Sequence, residues 1–94
     1  LDPAELKRLA TVVDWAGEHG CHVVLDLHNY GRYRLAERRG EKPTEYVLDD
    51  GTADAPARVT RAHLADFWRR LATEFAAHPA VAAYGLMNEP HDLG

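Results

Sequence analysis

Two short apolar runs, each broken off by polar residues, constrain this chain more than any other feature. Cys21-His22-Val23-Val24-Leu25-Asp26-Leu27-His28 is β-branched and mostly apolar, and Ala80 to Met87 repeats that character just before Asn88-Glu89-Pro90-His91. Runs of this length with little polar alternation predict strands covered on both faces, as in a parallel sheet. A segment of helical period precedes each run. Asp2-Pro3-Ala4-Glu5 predicts a helix start, with Asp2 as N-cap, Pro3 at the first helical position and Glu5 placed for a capping box. Leu6, Leu9, Val13 and Ala16 mark one face of that helix, Leu1 can staple its start, and Gly20 suits its C-terminal cap. Thr60 is placed to cap a second helix with Leu64, Phe67, Trp68, Leu71 and Phe75 on its apolar face, ending at His78-Pro79.

From Asn29 to Val59 no period of either kind persists. Gly31, Gly40, Pro43, Gly51 and Pro56 punctuate the stretch, so a long loop is expected, of the kind that tends to carry function. The predicted order is helix, strand, long loop, helix, strand. Strands alternating with helices imply a parallel α/β arrangement with right-handed crossovers, both helices shielding the same side of the sheet. The sequence has neither an internal repeat beyond this one nor a low-complexity segment.

Composition excludes some functions. A formal net charge of -4 provides no electrostatic attraction for nucleic acid or an anionic membrane, so neither is expected as a partner. No apolar run approaches the ~20 residues of a membrane span. The chain's only cysteine, Cys21, cannot form an internal disulfide, and at the start of a strand it is expected as a buried thiol. His22 and His28 bracket a strand too widely for a natural metal pair, so no zinc and no cofactor are expected. His19, His22, His63 and His78 are expected at the surface or at helix ends, Arg38-Arg39 and Arg69-Arg70 on solvated faces, and Phe67, Trp68 and Phe75 in the core. Because the chain opens directly on a helix start at Leu1, it is expected to be a segment of a longer protein.

Side chains with chemical potential gather just past both strands: Asp26, His28 and Asn29 after the first, Asn88, Glu89 and His91 after the second. In parallel α/β architectures active sites are built at that edge. Neighbouring strands would bring His28 and Glu89 toward one cleft. Alternation puts Val24, Asp26 and His28 on one face, so Asp26 can lie beneath His28 and orient its ring. On the second strand, alternation groups Glu89 with Gly85 and Met87 and sets Asn88 on the opposite face. Both reach one site only if that strand twists or bulges as it ends.

These motifs carry a resemblance. Val23-Val24-Leu25-Asp26-Leu27-His28-Asn29-Tyr30 resembles the third barrel strand of family 5 glycoside hydrolases. Tyr84-Gly85-Leu86-Met87-Asn88-Glu89-Pro90-His91 resembles the fourth, with its Asn-Glu-Pro signature, and Phe67-Trp68-Arg69-Arg70-Leu71-Ala72 is similar to the helix between them. The resemblance covers nearly the whole chain. It implies a partial (β/α)8 TIM barrel from the second helix to the fourth strand, within a single catalytic domain spanning 1–94. By the same resemblance Glu89 is the catalytic acid/base and Asn88 the residue that hydrogen-bonds the sugar 2-hydroxyl. His28 lines the glycone side, and Asn29 and Tyr30 are candidate sugar contacts. Tyr30, Tyr33 and Tyr46 can stack on pyranose rings or pack the loop down.

The implied reaction is retaining hydrolysis of a polysaccharide, with cellulose-like β-1,4-glucan favoured over mannan, xylan or another β-glucan. A secreted, monomeric parent enzyme is implied as well. Such chemistry needs two carboxylates about 5 Å apart, one protonating the leaving oxygen and the other attacking the anomeric carbon. The acid must sit where burial or a negative neighbour raises its pKa, and a sheltered cleft at a strand end is expected around Glu89. The family's nucleophile Glu follows the seventh strand and has no counterpart in this sequence. Asp26 is expected in a structural role, and Asp49 and Asp50 in the loop. The 94 residues alone are expected neither to close a barrel, which takes ~250 residues, nor to hydrolyse substrate. Two other readings remain: a carbohydrate-binding remnant without catalysis, and an unrelated α/β domain in which Asn-Glu-Pro is accidental.

Overall fold

Asp2 starts the first helix by accepting hydrogen bonds at its side chain from the backbone N–H groups of Ala4 and Glu5. Those are two of the donors that no helical carbonyl can reach. A computed structural model describes residues 1–36, 38–49 and 58–93. Its elements run α1 (Pro3–Glu18), β1 (Val23–Asp26), β2 (Arg32–Leu35), β3 (Thr44–Val47), α2 (Arg61–Phe75) and β4 (Val81–Gly85). Pro3 takes the first helical position as expected. Glu5 turns instead to Arg8, three residues on, so no capping box forms.

The end of α1 follows from one glycine. Gly20 has a φ of +71°, a left-handed conformation that a Cβ disfavours. Reversed there, the chain lets Gly20 N–H donate to the Gly17 carbonyl and Cys21 N–H to the Ala16 carbonyl, at 3.0 and 2.8 Å. Those two bonds form the Schellman pattern that satisfies the last carbonyls of a helix. Cys21 belongs to this cap rather than to the strand, which is why its thiol is exposed and not buried as expected.

β1 and β4 pair in parallel, the central expectation for the sheet, while the strands are shorter than the apolar runs suggested. Leu25 is buried and Val23 half-buried on the face beneath the helices, whereas Val24 and Asp26 point the other way and are exposed. Val13 of α1, Leu25 of β1, Leu71 and Phe75 of α2, and Ala80 form one core cluster, with Leu6, Leu9, Phe67, Trp68 and Tyr84 packed against it. Both helices therefore contribute to the same core as the strand's inner face. Phe75 is fully in that core; Phe67 and Trp68 are half-buried at its margin, where Trp68 donates its indole N–H to the Leu86 carbonyl at 2.9 Å.

α2 is capped by Thr60, whose hydroxyl accepts from His63 N–H while the His63 ring accepts from Thr60 N–H, a reciprocal box with histidine in the usual Glu position. Along its outer face Arg69 and Arg70 both pair with Asp66, and their guanidiniums hold its carboxyl below the ordinary range. At the far end His78 bridges elements: its Nε2 lies 2.8 Å from Asp14 of α1, and its Nδ1 accepts from Ala80 N–H at 3.2 Å.

The expected structureless stretch holds structure. β2 and β3 form an antiparallel pair, with Tyr33 opposite Tyr46 and Arg34 opposite Glu45. The paired tyrosine rings stack at 5.6 Å, and both Arg32 and Arg34 pair with Glu45. Strands of four residues are too short for their alternation to stand out from the flanking polar sequence. Asp50, Gly51 and Pro56 lie outside the described residues.

Replacing Gly20 with Ala should cost about 1 kcal/mol of stability, read as a lower urea midpoint, and with Asn about half as much. Nothing lies within 4 Å of a Cβ built there, so the loss measures backbone conformation alone. Phe75→Ala should cost about 3–5 kcal/mol, because the ring is 3% exposed and its cavity is held open by two helices and a strand.

Candidate active site

The site forms where the ladder between β1 and β4 loses its regularity. Leu27 N–H donates to the Gly85 carbonyl at 3.1 Å, continuing the parallel pattern by one residue. In a regular ladder the Leu27 carbonyl would next accept from Met87; it accepts instead from Asn88, at 2.9 Å. One extra residue has entered the second strand as it ends. Since side chains alternate with period two, a one-residue slip exchanges the two faces. Asn88 is thereby delivered to the face of Asp26 and His28, while the same slip does not bring Glu89 to that face. A second shift sits between Val23 and Val24, where Val81 and then Ala83 are the partners on β4.

His28 is the hub of what assembles there. Its Nδ1 lies 3.3 Å from Asp26 Oδ2, and its Nε2 lies 3.3 Å from the Tyr30 hydroxyl and 3.4 Å from Asn88 Nδ2. These separations are at the long end for hydrogen bonds. The Asp26 carboxylate crosses over Gly85, its register partner: a Cβ on Gly85 would fall 2.5 Å from Asp26 Oδ1. Only glycine leaves the carboxylate room to stand under the imidazole.

Tyr30 adopts a φ of 60°, and its ring meets His28 edge-on at 5.3 Å and His91 at 5.9 Å. Asn29 accepts at Oδ1 from Gly31 N–H, 3.2 Å away, so its side chain is engaged in the turn that raises Tyr30. Gly31 N–H also lies 3.1 Å from the Met87 sulfur, which ties the two strand ends together. Of the residues expected in the site, His28, Asn29, Tyr30 and Asn88 are gathered at this edge.

Glu89 stands next to them in the chain but differently from the expectation. It is exposed, its backbone has a φ of 39°, and its side chain makes no hydrogen bond or ion pair among the described residues. Its carbonyl accepts from His91 Nδ1 at 3.0 Å. The sheltered cleft expected around this carboxyl is not formed, because two strands wall only one side of it.

An open cleft of about 640 Å³ continues from His28 along the β2–β3 hairpin, bounded by Tyr30, Arg32, Arg34, Glu45 and His91. Sequence reasoning placed His91 in the polar cluster but missed Arg32, Arg34 and Glu45. The alternation in Arg32-Tyr33-Arg34-Leu35 and Thr44-Glu45-Tyr46-Val47 was the available signal: it puts the charged side chains on one face and the tyrosines on the other. Neighbouring cations and hydroxyls in such a cleft suit a polar, uncharged or anionic ligand with many oxygens.

Endoglucanase 1 of Robillarda sp. (strain Y-20) is 36% identical over 74 residues, covering 79% of this chain and 18% of that protein. Endoglucanase 1 of Saitozyma flava is 32% identical over 74 residues, 79% of this chain and 17% of that protein. Endoglucanase EG-II of Hypocrea jecorina is 26% identical over 93 residues, 99% of this chain and 18% of that protein. The chain thus spans less than a fifth of the length of these relatives. No solved structure matches it significantly. The sequence profile of the Cellulase (glycosyl hydrolase family 5) family matches residues 1–94 from end to end, and with the strand-end site in place the chain belongs to that family.

Proposed function

We propose that this chain is the arc from second helix to fourth strand of a (β/α)8 barrel, within the catalytic domain of a retaining glycoside hydrolase that cleaves β-1,4-glucan. The observation that carries the reading is the convergence of His28 and Asn88 at the C-terminal edge of adjacent parallel strands, with Glu89 the next residue. The family membership and the endoglucanase relatives support glucan over mannan or xylan. Val24 is 60% exposed on the sheet face turned from the helices, which suits a barrel interior completed by further strands. Activity outside the cell, in a monomeric enzyme, belongs to the same reading.

In this mechanism Glu89 protonates the glycosidic oxygen as the bond breaks, then removes a proton from the water that releases the sugar. The nucleophile is a carboxylate on another strand of the longer protein, about 5 Å away. Walls supplied by those other strands would remove Glu89 from water and keep its carboxyl protonated for the first step. Asn88 would hold the sugar 2-hydroxyl, a contact that strengthens as positive charge develops at the anomeric carbon. His28 and Tyr30 would line the glycone side.

Glu89→Gln in the full-length protein should lower kcat on cello-oligosaccharides by about 10²- to 10⁴-fold, the usual contribution of a positioned acid. On dinitrophenyl β-cellobioside, whose leaving group needs no proton, glycosylation should be nearly unaffected. An equal loss in kcat/KM, which reports glycosylation, on both substrates would overturn the acid/base assignment. Binding of cello-oligosaccharides by a wild-type protein that hydrolyses neither substrate would favour the carbohydrate-binding remnant instead.

A further inference from the structure

We infer that Asp26 is a positioning residue that fixes the tautomer of His28 and, through it, the orientation of the Asn88 amide. The inference rests on the site reading above and adds to it a residue that never touches substrate. A neutral imidazole carries one N–H and one lone pair, and the partner of one nitrogen decides which is which. The Asp26 carboxylate can only accept, so at 3.3 Å from Nδ1 it holds the proton on that nitrogen. Nε2 is then left with the lone pair.

That lone pair faces two groups able to donate, the Tyr30 hydroxyl at 3.3 Å and Asn88 Nδ2 at 3.4 Å. With Nε2 accepting, Asn88 must present its amide nitrogen to His28, and its carbonyl oxygen and second amide hydrogen remain for a sugar hydroxyl. In the opposite tautomer Nε2–H would face the amide N–H2, donor against donor, and the amide would turn over. A flipped amide offers its oxygen and nitrogen to the substrate in exchanged positions. Tyr30 competes for the same lone pair, so substrate drawing the tyrosine away would leave Asn88 as its sole partner.

An independent feature of the strand supports the arrangement. Asp26 pairs in register with Gly85, where a Cβ would stand 2.5 Å from Oδ1 and 3.4 Å from Cβ of Asp26. The glycine leaves a space that the carboxylate occupies, so the sequence supplies both the acceptor and the room for it. Gly85→Ala should displace the carboxylate without removing it, and serves as a second probe of the same contact.

The test uses the full-length protein with ¹⁵N-labelled histidine, observed near pH 8, where an ordinary imidazole is neutral. Wild type should show His28 with its proton on Nδ1. Asp26→Asn and Gly85→Ala should each raise the Nε2–H population and lower kcat on cello-oligosaccharides by roughly ten- to a hundredfold. KM and the circular dichroism spectrum should change little. Wild-type His28 protonated on Nε2, or variants that lose rate with an unchanged tautomer, would overturn the inference. The nitrogen spectrum does not depend on turnover, so a protein inactive towards glucan whose His28 still changes tautomer in both variants would sink the glucanase reading and leave the positioning role standing.

Discussion

Parallel pairing of β1 with β4 is the constraint on which the rest depends. The two strands lie far apart in sequence, and joining them in the same direction obliges the chain to travel back along the sheet, which α2 does. Leu25 and Tyr84 then sit opposite one another under the helices, and Val13, Leu71, Phe75 and Ala80 close over them. The same ladder aligns the two strand ends, so whatever follows Asp26 and Gly85 is brought to one edge. Core and site are two consequences of one set of backbone hydrogen bonds.

At that edge a local failure of regularity matters more than the regularity itself. Had Met87 taken the bond from the Leu27 carbonyl, Asn88 would face away from His28. The extra residue turns it inward at the position where sheet pairing stops and backbone groups are free to be re-aimed. Several compensations surround it. Trp68 donates to the Leu86 carbonyl, which faces away from β1, and Met87 receives the Gly31 N–H across the gap. A tryptophan of α2 at the margin of the core thereby helps to set the backbone just before the site residues, linking helix packing to site geometry.

How much was legible in advance follows the range of the interaction that determines each feature. Helix starts at Asp2 and Thr60, the glycine cap at Gly20 and the apolar faces of both helices depend on residues within a turn or two, and local rules located them. The polar ends of the two apolar runs pointed to His28, Asn29 and Asn88, and the family resemblance added Tyr30; the structure gathers all four. The hairpin was missed because each of its strands has four residues, and its pairing of Arg32 and Arg34 with Glu45 bridges residues that no local period connects. Cys21 was misassigned because the Schellman cap claims it before the strand begins.

The sequence by itself determined the two helices, the two strands that follow them and the chemistry waiting at those strand ends, since hydrophobic period, caps and polar punctuation are written over a few residues. Tertiary structure decided what those groups can do together. Only the ladder says that Asn88 replaces Met87 on the Leu27 carbonyl and that Asp26 stands over Gly85 beneath His28. The reason is physical: such features depend on register, and register is set by contacts between segments about sixty residues apart, which no local pattern encodes.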